Sequence, residues 1–248
     1  MNGSRYFSTQ AREYACFRPG YPALLFDFLA DYCAQRVLAW DCGTGTGQFA
    51  TSLAHYFQTV IATDASAEQI SHAETRPNIV YKQASCEESG LADSSVDLVS
   101  VAQALHWFDV DLFFSEARRV MKPDGLLAVV SYGLPRVRGD IDSIIDQFHS
   151  RTLAPYWPNE RSHVDNGYTN LAFPLKQLDV PNFHMQESWD LVQFTGYLSS
   201  WSAVTRYKEQ LDSDPLPALF DNLETTWAAD EKLRVTWPLL LRLGQFQD

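Results

Sequence analysis

Residues 37–50 read VLAWDCGTGTGQFA. An apolar run suited to a buried strand ends at an acid, Asp41, and meets Gly43, Gly45 and Gly47 before a stretch with helical spacing begins. A strand that turns into a helix through glycines leaves bare backbone N–H groups and a helix N-terminus facing outward, where a ligand can sit. The same unit fixes the fold class, because it repeats. Between 37 and 133, short apolar runs (VLAW, TVIATD, NIVYKQAS, VDLVSVAQAL, LLAVVSY) alternate with amphipathic stretches (GQFATSLAHYF, SAEQISHAE, VDLFFSEARRVM), the last helix closed by KPDG at 122–125. Strands alternating with helices predict an α/β protein with a parallel sheet covered on both faces.

Residues 1–36 carry a helical pattern around YPALLFDFLADYC, with Pro22 suited to a first turn. After Pro135 the character changes. A helix (IDSIIDQFHS) leads into an aromatic, proline-rich segment, followed by a strand (FHMQESW), helices through LVQFTGYLSSWSAVTRY and PALFDNLETTWAA, and a last strand, LRVTWPLLLRL. With no flexible linker between the halves, the expectation is one domain, 1–248. It divides into an N-terminal cap (1–36), a core (37–133), a lid (134–182) and C-terminal elements that complete the sheet (183–248).

Composition narrows the function. A formal net charge of −12 over 248 residues disfavours nucleic acid, which requires a basic face. No apolar run approaches a membrane span, and the residues after Met1 do not read as a secretion signal, so a cytoplasmic protein with a small-molecule partner is expected. Cys16, Cys33, Cys42 and Cys86 show no C-x-x-C spacing and read as reduced thiols. The six histidines contain no H-x-x-x-H pair, and Glu87 and Glu88 would diverge on a strand, so no metal site is expected.

The glycine turn alone fits several nucleotide-binding proteins, since GTGTGQFA satisfies G-x-G-x-x-A. Its spacing argues for a particular class. In a dinucleotide fingerprint the first glycine follows the strand directly, whereas here it comes two residues after Asp41; Asp64 then ends the next strand, where an acid accepts ribose hydroxyls. With FRPGYP (17–22), DCGTGTG (41–47), TDAS (63–66), VDLVSVAQALHWF (96–108), RRVMKPDGLLAV (118–129) and YLSSWSAVTRY (197–207), the chain resembles the class I S-adenosylmethionine-dependent methyltransferases, in the small-molecule branch that includes trans-aconitate methyltransferase-like proteins. The resemblance implies a Rossmann-like, mostly parallel sheet of seven strands with helices on both faces and a helical, aromatic lid. It also implies S-adenosylmethionine as cofactor and S-adenosylhomocysteine as product.

The resemblance places Gly43, Gly45 and Gly47 along the methionine and ribose of the cofactor, with Asp41 near its amino group. Asp64 would hold the ribose hydroxyls beside Ala65, Ser85 and Cys86 would meet adenine, and Gln103 and Ala104 would flank the methionine end. Tyr14, Arg18 and Tyr21 belong to the cap over the cofactor, where Arg18 pairs with a carboxylate of cofactor or substrate, or simply holds the cap. His106 and Trp107 stand next to the site of transfer; His106 is a candidate general base, a substrate contact or a packed polar residue. Tyr156, Trp157, His163 and Tyr168 form either an acceptor pocket or an apolar cluster under the lid, while Trp189, Trp201, Trp227 and Trp237 read as core. The expected activity is methyl transfer to O or N of a carboxylate or heteroaromatic acceptor by a monomer or weak homodimer. A protein that binds the cofactor without catalysing, and less favourably an NAD(P)-dependent oxidoreductase, are the alternatives.

Overall fold

The computed structural model describes residues 18–228 and 230–247. Tyr14 and Cys16, both singled out above, lie outside the described residues. Helix α1 (Ala23–Tyr32) is followed by β1 (Leu38–Cys42), α2 (Gln48–Leu53), β2 (Thr59–Asp64), α3 (Ala67–Ser71), β3 (Ile79–Gln83), β4 (Val96–Ala102), α4 (Val110–Val120) and β5 (Met121–Tyr132). Pro22 does not enter the first turn of α1; its extended backbone makes it the residue before the helix. The second half contributes α5 (Gly139–Gln147), α6 (Arg161–Asp165), a two-residue strand β6 (Lys176–Gln177), β7 (Phe183–Trp189), α7 (Leu191–Ser199), α8 (Ser202–Leu211), α9 (Leu216–Glu224) and β8 (Leu233–Gln245).

The strands form one sheet in the order β3-β2-β1-β4-β5-β8, with β7 and then β6 along the outer edge of β8. The first five pair in parallel and β8 enters antiparallel. Among the described residues the sheet contains the seven expected strands together with the two-residue β6 at its edge. Strands β1 and β4 sit in its middle. Their near-continuous apolar sequence follows from that position, because side chains on both faces are covered. One apolar cluster gathers Leu25, Phe49, Phe194, Trp227 and Trp237; the other packs Trp40 against Phe113 and Val120 of α4.

Two boundaries differ from the sequence pattern. Residues 122–125 do not close α4: the helix ends at Val120 and the chain enters β5 directly, absorbing Pro123–Gly125 as an irregularity where the register with β4 shifts between Val96 and Leu98. The segment 191–207 is two helices. Asp190 caps α7 in a reciprocal pair with Gln193, and the break at Ser200–Trp201 turns the Trp201 side chain into the core before α8 starts.

The sheet centre is fixed by one buried acid. Asp97, 4% exposed, accepts hydrogen bonds from the backbone N–H groups of Val37 and Leu38 at 2.8 and 2.9 Å and pairs with Lys122 at 2.5 Å. It ties the entry of β1 to β4 and β5 at the end of the sheet remote from the glycine turn. Its loss would strand two amide donors and a half-buried ammonium. Asp97→Ala is expected to lower the unfolding free energy by about 2–4 kcal/mol in urea titrations; a change below about 0.5 kcal/mol would remove Asp97 from this role.

Candidate functional site

A cavity of about 930 Å³ opens at the carboxyl ends of β1, β2, β4 and β5. In open α/β sheets this is where ligands collect, at the point where strand order reverses, here between β1 and β4. Arg18, Tyr21, Asp41, Gly43, Gly45 and Asp64 line it. So do Ala65, Ser85, Cys86, Gln103, Ala104 and His106, with Trp107 and Trp157.

The three glycines all have positive φ (69°, 58° and 81°), yet they are bare for different reasons. A Cβ on Gly43 would stand 2.6 Å from the Ala104 Cβ and 3.0 Å from the Phe108 ring, so Gly43 lets the turn pack on the end of β4. A Cβ on Gly47 would meet the Tyr81 hydroxyl at 2.3 Å; Gly47 is the residue before α2 and does not line the cavity. Only at Gly45 is the space open, with Gln69 Oε1 the nearest atom at 3.8 Å. Of the three glycines, Gly45 is therefore the one that lines the cavity without being packed tightly against a neighbouring side chain.

Asp64 holds that turn in shape. One carboxylate oxygen accepts the Gly45 N–H at 2.8 Å, the other accepts the Ser66 N–H at 2.9 Å, and the Thr44 N–H reaches the Thr63 carbonyl at 2.9 Å. Each carboxylate oxygen keeps a further lone pair. Asp41 is 1% exposed and accepts hydrogen bonds from Thr44 Oγ1 (2.6 Å) and Ser100 Oγ (2.7 Å). Burial raises its pKa to about 6, against the opposing pull of those two hydroxyls. A buried acid with so high a pKa is poised to meet a cation.

At the tip of β4, Gln103 adopts φ 57°, uncommon for a residue with a side chain, and its Nε2 lies 3.4 Å from the Tyr132 carbonyl. His106 and Trp107 follow in a short 3₁₀ turn, their rings 4.7 Å apart. The Tyr168 hydroxyl lies 2.9 Å from His106 Nδ1. Desolvation, with the charge of Arg161, pushes the His106 pKa down to about 3. His106 is thus a neutral hydrogen-bonding group, too weakly basic to retain a proton near neutral pH.

Three residues expected at the acceptor pocket do not line the cavity. Tyr168 is 1% exposed and sits behind His106, in the second apolar cluster. His163 faces outward to Asn170 Oδ1 at 3.1 Å. Tyr156 packs on Tyr207 at 4.8 Å. Conversely, the cavity recruits Tyr132 and Gly133 from the end of β5, Gln48 from α2, Tyr197 from α7, and the guanidinium-bearing Arg161 and Arg206. Tyr132 and Gly133 were detectable by the rule that already located Gln103, since they end a neighbouring parallel strand. Trp201 was read as core and is 9% exposed, but it also forms part of the cavity wall.

Comparison with known proteins converges on one family. A family model described as a methyltransferase domain matches residues 40–129, from β1 into β5. Over 247 residues the chain is 30% identical to a protein of Dictyostelium discoideum assigned as a methyltransferase, covering 96% of this chain and 94% of that one. It is 38% identical over 125 residues to an uncharacterised methyltransferase of Mycobacterium tuberculosis, a match spanning about half of each protein (50% and 51%). A solved structure from Anaeromyxobacter dehalogenans, assigned as a type II methyltransferase, superposes with a TM-score of 0.87 at 42% identity, covering 92% of this chain and 98% of that one.

The differing surroundings of the glycines are separable by mutation. Gly43→Ala combines left-handed strain with overlap on Ala104 and is expected to cost about 2–4 kcal/mol of stability. Gly45→Ala carries the strain alone, about 1–2 kcal/mol. Equal losses for the two variants in chemical denaturation would contradict the distinction.

Proposed function

The chain belongs to the class I S-adenosylmethionine-dependent methyltransferases, and from that membership we propose that it methylates oxygen or nitrogen of a small carboxylate or heteroaromatic acceptor. The observation that carries the reading is the open, positive-φ backbone at Gly45, fixed by Asp64 and adjoining the buried acid Asp41. The donor set fits the cofactor. The remaining lone pairs of Asp64 suit ribose hydroxyls, Asp41 suits an ammonium, and Ala65, Ser85 and Cys86 suit the edge of a purine. Arg18 suits the carboxylate of the methionine moiety. Gly43 and Gly47 act indirectly, by letting the turn close on Ala104 and Tyr81. Gln103 and Ala104 bound the methionine end. The cofactor, when bound, supplies an electrophilic methyl group on a sulfonium.

The rest falls to the protein: alignment of the acceptor atom about 3 Å from the methyl carbon, and exclusion of water. Tyr21, whose phenol burial holds well above its ordinary pKa, stays a neutral hydroxyl beside that space. In this reading His106 orients the acceptor. With Tyr168 donating to its Nδ1, the Nε2–H is left to donate toward the acceptor; a general-base role is disfavoured by its low proton affinity. Trp107 and Trp157 wall the pocket, and residues 134–182 form a lid on a single domain spanning 1–248. No described helix is long and apolar enough to cross a membrane. The reading further makes the protein cytoplasmic, a monomer or weak homodimer, with no nucleic-acid or membrane partner.

Titration with S-adenosylhomocysteine, followed by tryptophan fluorescence, tests the assignment. Saturable binding that NADH does not reproduce is expected, and methyl transfer across an acceptor panel then separates an enzyme from a silent binder. Asp64→Ala is expected to weaken this binding by about 1–3 kcal/mol; unchanged affinity would refute its role.

The pH dependence follows from Asp41. In the free protein it takes up a proton near pH 6, whereas a bound ammonium favours the carboxylate and lowers that pKa. Binding therefore releases a proton, and affinity for S-adenosylhomocysteine falls as pH drops below about 6, by roughly tenfold per unit. Affinity flat from about pH 5 to 7.5 would contradict the contact with Asp41.

A further inference from the structure

The first half of the chain lines the cavity with Asp41, Asp64 and Glu87 and with one cation, Arg18, matched above to the cofactor's carboxylate; the second half adds two more cations, Arg161 and Arg206. Glu160 also lines the cavity from this half, and Asp165 engages Arg161 Nε at 2.9 Å. These guanidiniums stand in a chain with 31 acidic and 19 basic residues, so general composition does not account for them. They are interleaved with indoles. The Arg161 guanidinium lies over the Trp157 ring at 4.9 Å from its centroid, and Trp157 meets Trp201 at 5.6 Å. Both tryptophans line the cavity.

Resting on the methyltransferase reading above, we propose that the acceptor is an aryl or heteroaryl acid whose anionic group is anchored by Arg161 and Arg206, whose ring lies against Trp157 and Trp201, and which is methylated at a different atom. Guanidinium forks match planar carboxylates with paired hydrogen bonds, and they are stronger where aromatic walls exclude water. Indole faces receive a flat ring with large contact area and fixed orientation. The methylated atom is separate because a carboxylate clamped by guanidiniums has its lone pairs engaged and is a poor nucleophile. The nucleophile is then a ring nitrogen or hydroxyl presented toward His106 and Tyr21, at the neutral, hydrogen-bonding part of the cavity. Its lone pair forms the new bond to the methyl carbon as the carbon–sulfur bond breaks, its electrons returning to sulfur. Any proton on the nucleophile leaves to solvent.

The test uses the full chain saturated with S-adenosylhomocysteine, and matched acid and amide probes: 4-hydroxybenzoate against 4-hydroxybenzamide, and indole-3-acetate against indole-3-acetamide. Calorimetry is expected to show at least one acid binding tenfold or more tighter than its amide. Arg206→Met and Arg161→Met are each expected to erase that preference while leaving affinity for S-adenosylhomocysteine within about threefold, which also certifies folding. Equal affinity of acids and amides, or no binding of either at millimolar concentration while S-adenosylhomocysteine still binds, would overturn the anchor and leave the methyltransferase reading intact. Failure of S-adenosylhomocysteine itself to bind would count against that reading instead. A methyl ester as the product from any acid would overturn the separation of anchor and nucleophile.

Discussion

One carboxylate organises the site. Asp64 ends β2, and its two oxygens take the amide hydrogens of Gly45 and Ser66, so the same group fixes the glycine turn after β1 and the entry to α3. A loop of left-handed residues has little to define it otherwise, since glycine is free to adopt many conformations. Because β1 and β2 run side by side in register from Leu38–Thr59 to Cys42–Thr63, the acid arrives beside the turn without any adjustment of the loop. The buried sheet centre makes this possible: β1 and β4 are covered on both faces and cannot slide relative to their neighbours without exposing apolar side chains.

From that anchor the chemistry divides along the cavity. Asp41 is kept dry, and its hydrogen-bond partners, the hydroxyls of Thr44 and Ser100 and the backbone at Ala50, carry no positive charge. His106, buried against Tyr168 and within the field of Arg161, is kept neutral. The two groups are shifted in opposite directions from their ordinary values by the same cause, desolvation. An acid awaiting a cation and an imidazole held neutral match a reaction in which a positively charged donor is bound and alignment carries most of the catalysis. Arg161 and Arg206 bring positive charge to the side supplied by the second half of the chain, as Arg18 does on the first.

The parallel core was legible in the sequence because strand and helix periods alternate cleanly there, and Asp41, Gly45, Asp64 and Gln103 were legible as cavity-lining residues because each lies within three residues of a strand's carboxyl end. The separate duties of the three glycines were not. What excludes a side chain at Gly43 and Gly47 is Ala104 and Tyr81, tens of residues away in the chain. The cavity wall built by the second half of the chain was less readable still. A tyrosine in an aromatic loop looks the same whether it faces a pocket, as expected for Tyr168, or stands behind the residue that does. Arg206 sits within a helical stretch whose pattern reports burial, and periodicity does not separate a core face from a cavity face. The extension of β5 back to Met121 reflects pairing with β4, a non-local interaction that overrode the turn chemistry of Pro123–Gly125.

A crystal structure grown with S-adenosylhomocysteine examines the core assertion most directly. Density for the ligand is expected along the main chain at Gly45, with its ribose hydroxyls on Asp64 and its ammonium near Asp41. Ligand density elsewhere, or a ribose turned away from Asp64, would contradict it.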